Sequence, residues 1–260
     1  MTYWAFVPRS RRLVSPLVLI HGSRRNTGRM FRAFLPHATT LGMPLIVPTF
    51  PVDAFPGYQR LAGAAGPLSA LRALESTLAD ADNVLGLSTD RVALCGFSGG
   101  AQFAHRFALY APGRVRRVVA ASAGYYTYLD DNRPFPYGIR PSILSAGERP
   151  DVEAFLRLPI HVLVGELDVE RTGTLATGGG LDQAQGDNRL ARALRWVDHL
   201  ESVASVRHRP SRVSFDLLPG TAHSFTSAVH RGDLVSRVVD FVHRSQALSG
   251  AAISQNRMHS

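Results

Sequence analysis

An alternation along the chain constrains its fold more than any other feature. Short runs rich in Val, Ile and Leu recur at 3–7, 17–21, 45–48, 92–95, 115–121, 160–164 and 213–218. Several are apolar throughout, which is the pattern of a strand buried on both faces of a parallel sheet. Between them lie stretches whose apolar residues fall three and four apart. Leu68, Leu71, Leu74 and Leu78 form one such stripe, with Pro67 at a favoured helix start. Phe103, Phe107 and Tyr110 form another after Gly100, and Leu190, Leu194, Val197 and Leu200 a third. Leu234, Val235, Val238, Val239 and Val242 close the series. The alternation predicts an α/β architecture, a doubly wound, mostly parallel sheet flanked by helices.

Two stretches interrupt the pattern. Residues 125–157 are rich in Tyr, Pro, Gly and Asp and are too long for a plain strand-to-helix connection. They are expected to form a lid-like or pocket insertion, with Tyr125, Tyr126 and Tyr128 either lining the pocket or packing beneath it. Residues 172–188, with Gly178-Gly179-Gly180, read as a loop. No repeat or linker divides the chain, so residues 1–260 are expected to form one domain, ending in a flexible tail at 248–260.

Composition removes several classes of function. A hydrophobic content of 45% against 19% charged residues excludes a disordered chain or a fibre. The uninterrupted apolar run at 17–20 is far shorter than the ~20 residues of a membrane span. The lone cysteine, Cys95, excludes an internal disulfide and a Cys-based zinc site, and fits a reducing compartment. Net charge is +9, yet every basic residue is Arg and these are scattered from Arg9 to Arg257. The short clusters lack interleaved stacking aromatics, so neither a nucleic-acid nor a membrane partner is expected. Ser10-Arg11-Arg12 before an apolar run mimics a twin-arginine export signal, but the run contains Pro16 and no small-residue cleavage site follows. A cytoplasmic location is the expectation.

The chemistry concentrates at Gly96-Phe97-Ser98-Gly99-Gly100, a G-x-S-x-G. Alone the pattern is weak. Here an apolar strand runs directly into it and a helical pattern runs directly out, which is the context a nucleophile elbow requires. A turn that tight needs Gly96 and Gly100 nearly free of side chain, and the Gly99 N–H at the start of a helix is a candidate oxyanion donor. A serine hydroxyl also needs a histidine to take its proton and a carboxylate to hold that histidine. Asp168, just past the strand at 160–164, is the first candidate for the acid, with Glu166, Asp182 and Asp187 behind it. His223, after the last strand and before the last helix, is the candidate base. His21, His105 and His161 read as structural, and His230 and His243 as surface or capping groups. Ser23, following His21-Gly22, is the candidate second oxyanion donor, with Arg24 next. Arg24 or Arg25 is a candidate contact for an acidic substrate group, and solvent exposure is the competing reading.

Three segments resemble the polyhydroxybutyrate depolymerase and feruloyl esterase-like branch of the α/β-hydrolases. They are 21–26, 96–107 with its Gln102-Phe103-Ala104-His105-Arg106-Phe107, and 218–225. The resemblance implies a Ser–Asp–His acyl hydrolase, here Ser98, Asp168 and His223, acting on carboxylic esters without metal or organic cofactor. Secreted members of that branch carry a signal peptide and disulfides, and neither is expected here. The expectation is therefore an esterase for small or oligomeric esters inside the cell. The alternatives are a peptidase, thioesterase or lactone hydrolase on the same triad, or a non-catalytic ligand-binding module. Oligomeric state is left open.

Overall fold

The structure is a computed structural model that describes residues 1–9, 15–171, 175–178 and 180–243. The Ser10-Arg11-Arg12 feature and the tail expected at 248–260 lie outside these residues.

Among the described residues, seven strands form one sheet: β1 (Thr2–Phe6), β2 (Leu17–Ile20), β3 (Leu45–Thr49), β4 (Val92–Phe97), β5 (Val115–Ala121), β6 (Ile160–Gly165) and β7 (Val213–Leu218). Their order is β1-β3-β2-β4-β5-β6-β7. Only β1, paired with β3, runs antiparallel. The doubly wound, mostly parallel sheet expected from the alternation is the sheet observed. The helices are α1 (Thr27–Leu41), α2 (Ser69–Leu85), α3 (Gly99–Tyr110), α4 (Val152–Leu156), α5 (Leu181–Gln185), α6 (Arg189–Val206), α7 (Phe225–His230) and α8 (Leu234–His243). None is long and apolar enough to cross a membrane.

The period-two alternation of each strand explains why helices cover both faces. Val18, Ile20, Leu94, Val118, Ala120, Val162 and Val164 point into one core with Leu71, Leu74, Phe103, Phe107, Trp196 and Leu200. Leu17, Leu19, Ala93, Cys95, Val119, Ala121 and Leu163 point into the other with Met30, Phe34, Val235 and Val238. The outer strands β1 and β7 have one covered face, and their burial alternates.

Two local outcomes differ from the sequence reading, and a third falls on one of the two readings it left open. Helix α1 carries no clear stripe in the sequence, because its buried apolar residues are only Met30, Phe34 and Ala38 and Pro36 sits inside it. The Pro36 ring is exposed, so the lost backbone bond falls on the solvent side. Helix α2 begins at Ser69, after Leu68 turns through a left-handed φ of 56°. The segment 125–157 is packed against the body: Tyr126 stacks on Trp196, Tyr125 lies under the Arg106 guanidinium, and Tyr128 packs on His199. Phe135, Ile139 and Phe155 of the same segment belong to the first core.

Trp196 joins this segment to α6. It is fully buried, its ring lies 4.4 Å from that of Tyr126, and its indole N–H donates to the Thr127 carbonyl at 3.0 Å. W196A is expected to lower stability by about 3–5 kcal/mol in urea denaturation, because truncation leaves a cavity and an orphaned carbonyl. A loss below about 1 kcal/mol would show that the site collapses around the vacancy.

Candidate active site

The C-terminal edge of a doubly wound sheet is where ligands and catalytic groups gather. The ends of β2, β4, β6 and β7 meet there. Ser98, directly after β4, has φ 56° and ψ −116°, a conformation strained for a residue with a side chain. Its N–H donates to the Ala121 carbonyl at 2.8 Å, and its carbonyl accepts from Ala101 N–H at 3.0 Å. A Cβ on Gly96 would stand 2.0 Å from the Gly100 carbonyl oxygen, and one on Gly100 would stand 2.0 Å from that of Ile20. Strand β2, the elbow and α3 are therefore in backbone contact.

That contact exposes the Ser98 hydroxyl to the loops after β6 and β7. Ser98 Oγ lies 3.0 Å from His223 Nε2, and His223 Nδ1 lies 2.8 Å from Asp168 Oδ2. Asp168 is 1% exposed, and the His223 side chain is 15% exposed. The flanking loops are zipped together: Glu166 N–H donates to the Leu218 carbonyl at 3.0 Å and Leu167 N–H to the Thr221 carbonyl at 2.9 Å. The approach is so close that a Cβ on Gly165 would stand 2.1 Å from the Thr221 oxygen. The His223 ring stacks on Phe97, and Phe225 meets Phe97 edge-on.

The other acids considered from the sequence are engaged elsewhere. Glu166 Oε2 accepts from Gly220 N–H at 2.9 Å and so braces the loop that carries His223. Asp182 pairs with Arg192 at 2.6 Å and with Arg171. Asp187 accepts from the Asn188 side chain at 3.0 Å. Sequence reasoning missed Arg189. This buried residue at the start of α6 sets its guanidinium 3.4 Å from Asp168 Oδ1, the oxygen that His223 does not hold. Its one sequence signal is the capping residue Asn188, which puts Arg189 at the first helical position.

The loop after β2 is also rigid. The Phe50 N–H donates to His21 Nε2 at 3.0 Å, which leaves Nδ1 protonated and 2.9 Å from the Gly22 carbonyl. Burial, with Arg25 adding to it, pushes the His21 pKa down to about 4. Arg25 braces the same loop. Its guanidinium donates to the carbonyls of Phe50, Ser23 and Phe55 and lies over the Tyr58 ring. Arg24 is exposed. Among the described residues, neither the Ser23 N–H nor the Gly99 N–H donates to a protein acceptor. A Cβ on Gly99 would stand 3.4 Å from Ser23 N, so the two groups are neighbours.

A cleft of about 500 Å³ opens over Ser98. Its walls are residues 21–26, Arg29 and Met30 on one side and residues 223–226 on the other, with Phe97 at its floor. No residue of 125–157 lines it, because the tyrosines that could have done so are taken up in packing.

No family model matches the sequence, and no curated protein sequence matches it. Solved structures do match. Poly(aspartic acid) hydrolase-1 from Sphingomonas sp. KT-1 is 27% identical with a TM-score of 0.75, over 90% of this chain and 92% of that one. The LpqC poly(3-hydroxybutyrate) depolymerase from Bordetella parapertussis is 23% identical with a TM-score of 0.73, over 91% and 87%. An S-formylglutathione hydrolase from Staphylococcus aureus is 14% identical with a TM-score of 0.58, over 92% of each chain. The fold is that of the α/β-hydrolases. Within that fold this chain resembles the polyhydroxybutyrate depolymerase structure, as the three sequence segments imply.

The His21 environment sets a pH dependence. The native ring resists protonation down to about pH 4, whereas the unfolded ring titrates near 6.5. The unfolded state therefore binds more protons in this window, and stability falls as pH drops from 6.5 towards 4. The loss attributable to His21 is at most about 3 kcal/mol. Urea denaturation at stepped pH is expected to show a steeper acid loss for the wild type than for H21Q. Equal slopes would contradict the assignment.

Proposed function

We propose that this α/β-hydrolase is a serine hydrolase that cleaves carboxylic esters through Ser98, His223 and Asp168. The observation that carries the reading is the unbroken chain from Ser98 Oγ to His223 at 3.0 Å and from His223 to buried Asp168 at 2.8 Å. It lies beside two backbone N–H groups without protein acceptors, those of Ser23 and Gly99.

The chemistry follows from these positions. Ser98 Oγ attacks the ester carbonyl while His223 Nε2 takes its proton. Asp168 accepts from Nδ1–H, which fixes the tautomer and stabilises the imidazolium that forms. Ser23 and Gly99 donate to the oxygen as it becomes an oxyanion, each worth about 3 kcal/mol of transition-state stabilisation. His223 then returns the proton to the departing alcohol, and water attacks the acyl-enzyme with His223 again as base. Phe97, stacked on the imidazole, keeps one ring face away from water.

The substrate class is a small or oligomeric ester, in keeping with the resemblance to the poly(3-hydroxybutyrate) depolymerase and with a cleft of about 500 Å³. The second reading is amide hydrolysis on the same three residues, favoured by the likeness to a poly(aspartic acid) hydrolase. A panel of matched ester and amide substrates separates the two.

S98A is expected to abolish labelling by a fluorophosphonate probe and to lower kcat on para-nitrophenyl butyrate by about five to six orders of magnitude. D168N is expected to lower kcat about 10⁴-fold, because the asparagine amide selects the wrong tautomer of His223. Full labelling or turnover by S98A would overturn the proposal.

A further inference from the structure

The walls of the cleft differ in charge. Three arginines, Arg24, Arg25 and Arg29, line it, and no Asp or Glu does. His21 adds no compensating charge, and the carboxylate nearest the reacting hydroxyl, Asp168, is buried behind His223 and held by Arg189. Arg25 is a strut, with its donors on three backbone carbonyls. The remaining two are differently placed. Arg24 is exposed and, among the described residues, makes no hydrogen bond or ion pair. Arg29 is also exposed and is held across the cleft mouth by one bond, from its guanidinium to Thr226 Oγ1 at 2.9 Å. That bond orients the fork and leaves its charge uncancelled.

The surroundings reinforce this polarity. Helix α1, fifteen residues long, starts at the cleft with Asn26 as its cap and has no acidic residue in its first turn. Its positive end therefore adds to the field of the two arginines. Some surface arginines away from the cleft are paired with acids, as in Arg72–Glu148, Arg149–Asp131 and Arg237–Asp216, whereas among the described residues no acid pairs with Arg24 or Arg29. The apolar residues Met30, Phe97 and Phe225 line the same cleft as Ser98. Apolar residues beside the nucleophile and arginines lining the same cleft suit a substrate with an apolar chain and an anionic end.

Resting on the hydrolase reading, we propose that Arg24 and Arg29 form an anion subsite that selects esters carrying a carboxylate a few bonds from the scissile carbonyl. A guanidinium fork accepts a carboxylate in a bidentate pair, which positions the chain as well as attracting it. Because the rim is exposed, the attraction is screened by salt.

The test compares matched esters. One pair, para-nitrophenyl hexanoate and the para-nitrophenyl half-ester of adipic acid, varies the acyl side. The other, phenyl butyrate and meta-carboxyphenyl butyrate, varies the alcohol side. Each anionic-to-neutral ratio of kcat/KM is divided by the corresponding ratio for hydroxide-catalysed hydrolysis. In the wild type at low salt, at least one corrected ratio is expected to reach about tenfold and to shrink in 0.5 M sodium chloride, at about a third of the low-salt Debye length or less. R24Q and R29Q are each expected to cut that ratio about threefold, and the double variant to bring it close to one. R24K and R29K, which keep the charge but not the fork, are each expected to retain more of the preference than R24Q and R29Q but less than the wild type. Corrected ratios near one in the wild type, or ratios that survive R24Q/R29Q, overturn the subsite while leaving the hydrolase reading intact. Failure of the wild type to take up a fluorophosphonate and to cleave any of the four esters overturns the hydrolase reading instead.

Discussion

The backbone contact at the elbow is the constraint on which the rest of the site depends. Ser98 holds a positive φ that a serine adopts only under compulsion. The compulsion comes from β4 running straight into α3 while α3 presses on the end of β2. Both contacts are so close that a Cβ on Gly96 or on Gly100 would stand 2.0 Å from a backbone oxygen. The same contact sets more than the nucleophile. Because Gly100 touches the carbonyls of Ile20 and His21, the chain leaving β2 is delivered beside Gly99, which brings the Ser23 N–H next to the Gly99 N–H. The Ser98 hydroxyl and the N–H groups of Ser23 and Gly99 are thus positioned by one packing event.

The acid and base answer to a second constraint. A carboxylate that is 1% exposed is costly unless its oxygens are matched. Asp168 divides its two oxygens between His223 and Arg189. Arg189 in turn stands at the start of α6, whose Leu190 N–H donates to the Asp168 carbonyl at 3.3 Å. One helix terminus therefore fixes both the backbone and the side chain of the acid. Glu166 does the matching work on the other loop by bonding Gly220 N–H. Glu166, which does not reach His223, thus braces the loop that carries it.

What could be read in the sequence was what is encoded locally. Strands declare themselves by continuous apolar runs, and the elbow by its glycines and its strand-turn-helix setting. Asp168 and His223 stand out because each follows a recognisable strand. What could not be read depends on partners distant along the chain. Nothing around Arg189 records that it will face Asp168, twenty-one residues earlier. Nothing around Arg25 records that its guanidinium will meet the carbonyls of Phe50 and Phe55. Tyr125, Tyr126 and Tyr128 suited a pocket wall and a packed layer equally well until Trp196, Arg106 and His199 were placed against them. Helix α1 was hidden by Pro36, whose exposed ring is tolerated in a way that only the burial pattern reveals.

The same distinction accounts for the basic composition. A net charge of +9 carried wholly by arginine suggests at first a surface for polyanions. Several of these arginines are instead interior struts. Arg192 reaches the carbonyls of Gly186, Gly124 and Ala176 as well as Asp182. Arg106 bonds Thr127 Oγ1 and the Gln59 carbonyl and stacks over Tyr125. A lysine could do none of this, because an ammonium offers a single point of charge where a guanidinium offers a planar fork of donors. Arginines of this kind join segments whose backbone carbonyls lack partners in helix or sheet, and their charge is spent on that task. Arg106, Arg189 and Arg192, the buried arginines among the described residues, thus serve the internal architecture. Arg24 and Arg29 differ from these struts in lining the cleft with guanidinium groups that no acid among the described residues pairs.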